Sequence, residues 1–318
     1  MLPFIRKVED LQIKTIKWIT DKPILAVLGQ KTNRLGVVYL YKLEKENLSK
    51  YAELQVNGDP TTLSMLMGDL VVAEGKLITI WSLDNLKEPK CVIDVGMHID
   101  CMDSFGGSYT ELGPPEIVVG CGNKVLVYDV RVQEPVVTIN EKQTIWAVGF
   151  GNAYSTEEKS IAVGFSDGLV KLYDLNLKKL VWSLQLKQGI CRLEFNCKTT
   201  KQHYLSIGCL KGLCYVIDIR DLKKVVTVED KNDEQECTIW SLGHSPHYKE
   251  ALLISNDNYL QLFKIGTNKL TLMDSVGHLS EQPIRALDWN TKMEGLCAIC
   301  SFDQVISILM IPAIHKCK

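Results

Sequence analysis

A short strand-like pattern returns seven times along this chain, and a sevenfold repeat leaves few folds open to it. The pattern is two or three alternating apolar residues, an aromatic or large aliphatic residue, a polar residue and another aliphatic. It reads VYLYKL ending at Leu43, ITIWSL ending at Leu83 and VLVYDV ending at Val130. It returns as VKLYDL, CYVIDI and LQLFKI, ending at Leu175, Ile219 and Ile265, and as a weaker ISILMI ending at Ile311. The anchor residues are Tyr41, Trp81, Tyr128, Tyr173, Ile217, Phe263 and Leu309, separated by 40, 47, 45, 44, 46 and 46 residues. That spacing lies at the top of the ~40–45 residues of a four-stranded propeller blade. A β-sandwich array or a pair of small barrels predicts no such period.

Each interval holds the remainder of a blade. A first strand precedes the anchor, as in IWAVGF (145–150), ICRLEF (190–195), IWSLGH (239–244) and IRALDW (284–289). A more continuously apolar second strand follows, such as EIVVGC, SIAVGF or YLSIGC. Its lack of alternation fits a strand buried on both faces. Turn residues such as Ser166-Asp167-Gly168 lead to the anchor strand, and an outer strand such as PVVTI (135–139) or LVWSLQL (180–186) comes after it. The seventh anchor strand has no outer strand behind it, while a spare strand-like stretch, residues 4–8, lies before the first blade. The economical expectation is one domain over 1–318, an all-β seven-bladed β-propeller closed by the N-terminal strand, with no unpaired closing edge.

Composition narrows the function. A net charge of −2 over 318 residues lacks the basic field that nucleic acid or an acidic membrane surface requires. Eleven cysteines, an odd number scattered through apolar strands, read as small buried hydrophobes in a reducing compartment. The first residues, MLPFIRKVEDLQIK, carry charges before any apolar core of a signal peptide. No stretch approaches the ~18 apolar residues of a membrane span. The Asn47-Leu48-Ser49 sequon has no meaning in a cytosolic chain.

The repeat resembles the WD-repeat family with a worn signature. Gly277-His278 gives the single Gly-His pair, and Tyr128-Asp129 and Tyr173-Asp174 stand nearest to Trp-Asp. Asp167, Asp257 and Asp303 match the family's structural turn aspartate, which the resemblance implies would brace the blades by accepting hydrogen bonds. Longer segments are more specific: GPPEIVVG (113–120) with YDVR (128–131), WAVGFGNAYSTEEK (146–159) with KLYDL (171–175), GICRLEF (189–195), and QPIRALDWNTKMEGLCAICSFDQ (282–304). These are similar, in the same order, to the WD-repeat factors linked to cytoplasmic preassembly of axonemal dyneins. The first two blades match poorly and 229–236 diverges. The resemblance implies a cytoplasmic adaptor associated with the co-chaperone complex of RuvB-like ATPases and prefoldin-like subunits. Such an adaptor would help present dynein heavy chains or other large clients to heat-shock chaperones.

In a propeller, the loops entering the first strands and those joining second to third strands gather around one mouth of the central channel. Aligned on the repeat, the rim positions are Lys14, Thr61, Asp100, Trp146, Cys191, Trp240 and Arg285, and Phe302 falls in a turn on the same face. Tryptophan and arginine are the residue types that anchor protein interfaces. Trp146, Trp240, Arg285, Asp100, Lys14 and Phe302 are therefore the candidate protein-binding residues, against the alternative that the aromatics pack between blades. The acidic run EDKNDEQE (229–236) belongs to the same face, as a solvated loop or as a steering element for a basic peptide. Arg131, Lys178, Lys179, Arg220, Lys223 and Lys224 mark the corners of the opposite face.

Other chemistry finds little support. Cys297 and Cys300 have CxxC spacing, yet residues three apart on a strand face opposite ways. No phosphate-binding loop or nucleophile elbow occurs, and the six histidines do not cluster with carboxylates at ligand spacing. The expectation is a monomeric, non-enzymatic scaffold without metal or cofactor, whose partners are proteins and neither nucleic acid nor membrane. The alternative is a substrate receptor of a cullin-type ubiquitin ligase, since Asp129-Val130-Arg131 and Asp218-Ile219-Arg220 keep that class's Asp-x-Arg but lose its tryptophan.

Overall fold

In the computed structural model the described residues are all except 21, 57, 106–113, 152–158, 197–203, 224, 229–236, 268 and 318. The acidic run 229–236 and the corner residue Lys224 lie outside the described residues. The chain forms seven four-stranded antiparallel sheets. Each anchor residue falls in the third strand of its sheet: Gly36–Glu44, Leu77–Trp81, Lys124–Asp129, Leu169–Asp174, Cys214–Asp218, Tyr259–Ile265 and Val305–Met310. Six sheets are built from consecutive strands. The seventh takes its outer strand, Leu2–Val8, from the far end of the sequence, paired antiparallel with Val305–Met310. The N-terminal stretch therefore completes the last blade, and the ring closes there.

The core is divided among seven apolar clusters, each spanning a pair of neighbouring blades, the last and first included. The third blade shows why its second strand is apolar throughout. Ile117, Val119 and Cys121 face the second blade, whereas Val118 faces the fourth. A strand with a neighbour on each side has no solvent face, so its pleat sends alternate residues into two different cores. Burying a Val, Leu or Ile side chain contributes roughly 1.5–3 kcal/mol. Contributions on both faces of each inner strand replace the single core of an ordinary domain.

Cys297 and Cys300 follow the same rule. Cys300 lies in the cluster shared with the first blade and Cys297 in the one shared with the sixth. Burial pushes the Cys300 thiol up to about 12 and raises that of Cys297. Two thiols in separate cores share no metal, and no cluster of metal-ligating side chains occurs among the described residues.

The sixth blade departs from the expected first strand over 239–244: ladder pairing covers only Leu242–His244. Just before it, the Ser255 hydroxyl accepts the Ser241 N–H at 3.1 Å and donates to the Ser241 carbonyl at 2.8 Å. The Ser241 carbonyl also accepts the Ser255 N–H at 3.0 Å, so the hydroxyl shares this pairing with the backbone.

The turn aspartates divide. Asp303 accepts the Glu281 N–H at 2.8 Å and so ties its turn to the loop entering the blade. The Asp167 carboxylate accepts the nearby Leu169 N–H at 3.1 Å, and its carbonyl accepts from Gln185 Nε2 at 2.8 Å. Asp257 sits at a positive φ of 53° and bridges through its carbonyl, which takes the Ile284 N–H at 2.8 Å. Of these three aspartates, Asp303 ties its turn to another segment through its carboxylate, and Asp257 and Asp167 do so through their carbonyls.

Candidate protein-binding face

The rim positions share one backbone device. Each follows a buried residue: Ile13, Pro60, Ile99, Ile145, Ile190, Ile239 or Ile284. In five blades the strand register slips at the rim residue itself, at Lys14, Thr61, Trp146, Cys191 and Arg285. A bulge sets two residues against one, so the extra side chain leaves the ladder and is re-aimed. The six isoleucines that precede rim residues lie in the interblade cores, and the rim residues themselves are half-buried or exposed. Asp100 and Trp240 occupy the same place in their blades.

The structure brings four of the six candidates together. Trp240 packs edge-on against Phe302 with ring centroids 5.5 Å apart, and the Arg285 guanidinium lies 4.8 Å from the Phe302 ring. Arg285 Nε donates to the Lys14 carbonyl at 2.9 Å. The sixth, seventh and first blades thus meet in one aromatic and cationic cluster beside the seam. Trp240 is 42% exposed and Phe302 37%, so neither ring is absorbed by the core. Burial lowers the Arg285 pKa.

Trp146 stands apart, on the fourth blade. Its ring is 41% exposed and lies over Gly189, where an added Cβ would come within 2.9 Å of it. Asp100, on the third blade, is committed locally: its carboxylate accepts the Gly122 N–H at 2.6 Å, in a turn where Gly122 has a positive φ of 58°. Lys14 joins the cluster through its carbonyl.

Three carboxylates escaped the sequence reading. Asp103 accepts the Phe150 N–H of the next blade at 2.9 Å, Glu194 the His244 N–H at 3.2 Å, and Asp288 the Trp18 N–H at 2.7 Å. Each acid lies three residues after its rim position and latches its first strand to the following one. Carrying the blade alignment three residues further would have exposed them. Beside the last latch, burial pulls the Lys17 pKa down, but Asp288 and Glu194 more than offset it and hold it above its usual value.

On the opposite face, the two Asp-x-Arg corners are closed on themselves. Arg131 contacts both oxygens of Asp129, with Nη2 at 2.6 Å, and Arg220 does the same to Asp218 at 2.8 and 2.6 Å. Both arginines are engaged in local corner pairs.

No protein-family model matches the chain. Curated relatives do, each named Dynein axonemal assembly factor 10. The Bos taurus protein is 28% identical over 354 residues, covering 99% of this chain and 98% of its own length. The Homo sapiens protein is 28% identical over 353 residues with the same coverage. The Chlamydomonas reinhardtii protein is 26% identical over 354 residues, again 99% of this chain and 98% of its own. With seven four-stranded blades, a last blade completed by the N-terminal strand and this end-to-end likeness, the chain is a seven-bladed β-propeller similar over nearly its whole length to proteins named Dynein axonemal assembly factor 10.

Proposed function

We propose that this chain is a non-enzymatic interaction scaffold serving the assembly of axonemal dyneins, and that it works in the cytoplasm as a co-chaperone-associated adaptor. The observation that carries this reading is the end-to-end likeness to relatives named for dynein assembly. The channel mouth suits the role. It offers Trp146 on one side and the Trp240, Phe302 and Arg285 cluster on the other, residue types that contribute most to binding when desolvated. A propeller carries function in such grafted surfaces, not in its fold. In this reading a monomer of the chain uses the mouth to hold a dynein heavy chain, or a subunit of the RuvB-like and prefoldin-like complex.

The test is affinity capture with the full chain from cells building axonemes, comparing wild type with Trp146→Ala/Trp240→Ala. Wild type should recover dynein heavy chains together with RuvB-like ATPases, and the double variant should lose at least one of them. Capture that recovers no dynein subunit removes the assembly role. An unchanged partner list from a folded double variant removes the mouth as the docking face.

A further inference from the structure

The Trp240, Phe302 and Arg285 cluster has an unanswered charge. Nε of Arg285 is used by the Lys14 carbonyl, and one face of the guanidinium rests on Phe302. Among the described residues no carboxylate pairs with it. Two acids of the same blade are engaged elsewhere, Asp303 with Glu281 N–H and Asp288 with Lys17 and Trp18 N–H. A half-buried cation without an ionic partner is costly to keep, and a carboxylate arriving there forms short, paired N–H to O bonds with the free edge of the fork. The fork is planar by its own delocalisation, and its contact with Phe302 orients it before any ligand binds. Beside it, Trp240 offers a half-exposed indole whose edge contact with Phe302 fixes its pose.

We infer that this cluster is a docking site for an acidic peptide motif, with an Asp or Glu carboxylate on Arg285 and a neighbouring large apolar side chain on Trp240 and Phe302. This rests on the reading of the mouth as a protein-binding face and names its ligand. A nucleic-acid backbone is a poor fit, because the cluster supplies one guanidinium on a chain of net charge −2. The guanidinium fork also prefers a planar carboxylate over a lysine-bearing partner, which it would repel.

The experiment is panning of a random peptide library against the full chain, followed by fluorescence polarisation with the enriched peptides. The expected result is enrichment of peptides in which Asp or Glu lies next to a large apolar residue. Changing that acid to its amide should weaken binding by about tenfold or more, as should Arg285→Lys, which keeps the charge and removes the fork. Trp240→Ala, at an exposed position, should weaken binding to a similar degree with an unchanged melting temperature. Basic or uncharged enriched peptides, no enrichment at all, or equal binding to wild type and Arg285→Lys would overturn the assignment. So would a phosphoserine peptide binding about tenfold more tightly than its Asp counterpart, since that transfers the site to phosphopeptides. Acidic peptides that bind as expected, alongside a captured cellular partner list unmoved by Trp146→Ala/Trp240→Ala, would spare this inference and sink the proposed cellular role of the mouth. Altered capture with non-acidic peptides would do the reverse.

Discussion

Asp288 and Trp18 lie 270 residues apart and meet across the seam, where the Asp288 carboxylate accepts the Trp18 N–H at 2.7 Å and the Lys17 ammonium at 2.5 Å. The outer strand Leu2–Val8 closes the ring at its circumference, and Asp288 closes it at the channel. Asp288→Ala leaves a partly buried N–H and a cation without their acceptor, a loss of about 1–3 kcal/mol. Asp288→Asn keeps an acceptor for Trp18 and should lose less. Urea midpoints of the two variants provide the check, and equal stability of Asp288→Ala and wild type would contradict the latch.

Removal of residues 1–8 should be far more damaging than a comparable trim of an exposed loop. It strips the partner from Val305–Met310 and uncovers an edge strand. It also deletes Ile5 from the cluster between the seventh and first blades. Native-state proteolysis should then open the seventh blade first. A truncated chain with the melting temperature and digestion pattern of wild type would show that the seam does not depend on this strand.

His244 gives a pH signature. Its imidazole is buried with Nε2 2.9 Å from the Ser206 hydroxyl, and burial pushes its pKa down to about 3. The unfolded chain takes up the proton near pH ~6.5, whereas the folded chain resists it. Stability from this residue is therefore intact above pH ~6.5 and declines as the pH falls below it, by about 1.4 kcal/mol per unit. His244→Gln should flatten the dependence of the urea midpoint on pH between ~6 and ~4.5 relative to wild type. Parallel slopes would mean that His244 is charged in the folded state.

Thiol labelling should follow the cores. Cys297 and Cys300 are fully buried with raised pKa values, and they should resist alkylation at neutral pH until the chain unfolds. Cys91 and Cys191 are only half-buried and should react earlier, although burial raises both and pushes Cys191 to about 11. Peptide mass mapping after brief treatment with a maleimide reads the order. Early labelling of Cys300 would argue that the last blade opens in the native state.

Local sequence was enough for the ring and its seam. Anchors such as Tyr128 and Tyr173 recur because each blade repeats the same pairing and packing problem, and the orphan third strand ending at Ile311 calls for a partner from elsewhere in the chain. It also aligned the rim positions, and in five blades the structure has a bulge there behind a buried residue. What it left undecided was company. Trp146 and Trp240 occupy equivalent positions, yet Trp146 lies over Gly189 while Trp240 meets Phe302 and Arg285. The acids Asp103, Glu194 and Asp288 look like ordinary solvated residues along the chain and become interblade latches only when the next blade presents its N–H. The physical reason is the closure of the ring. Pairing within each of the first six blades depends on residues about 45 apart or fewer, whereas the contact between Arg285 and Lys14 exists only because the last blade packs against the first.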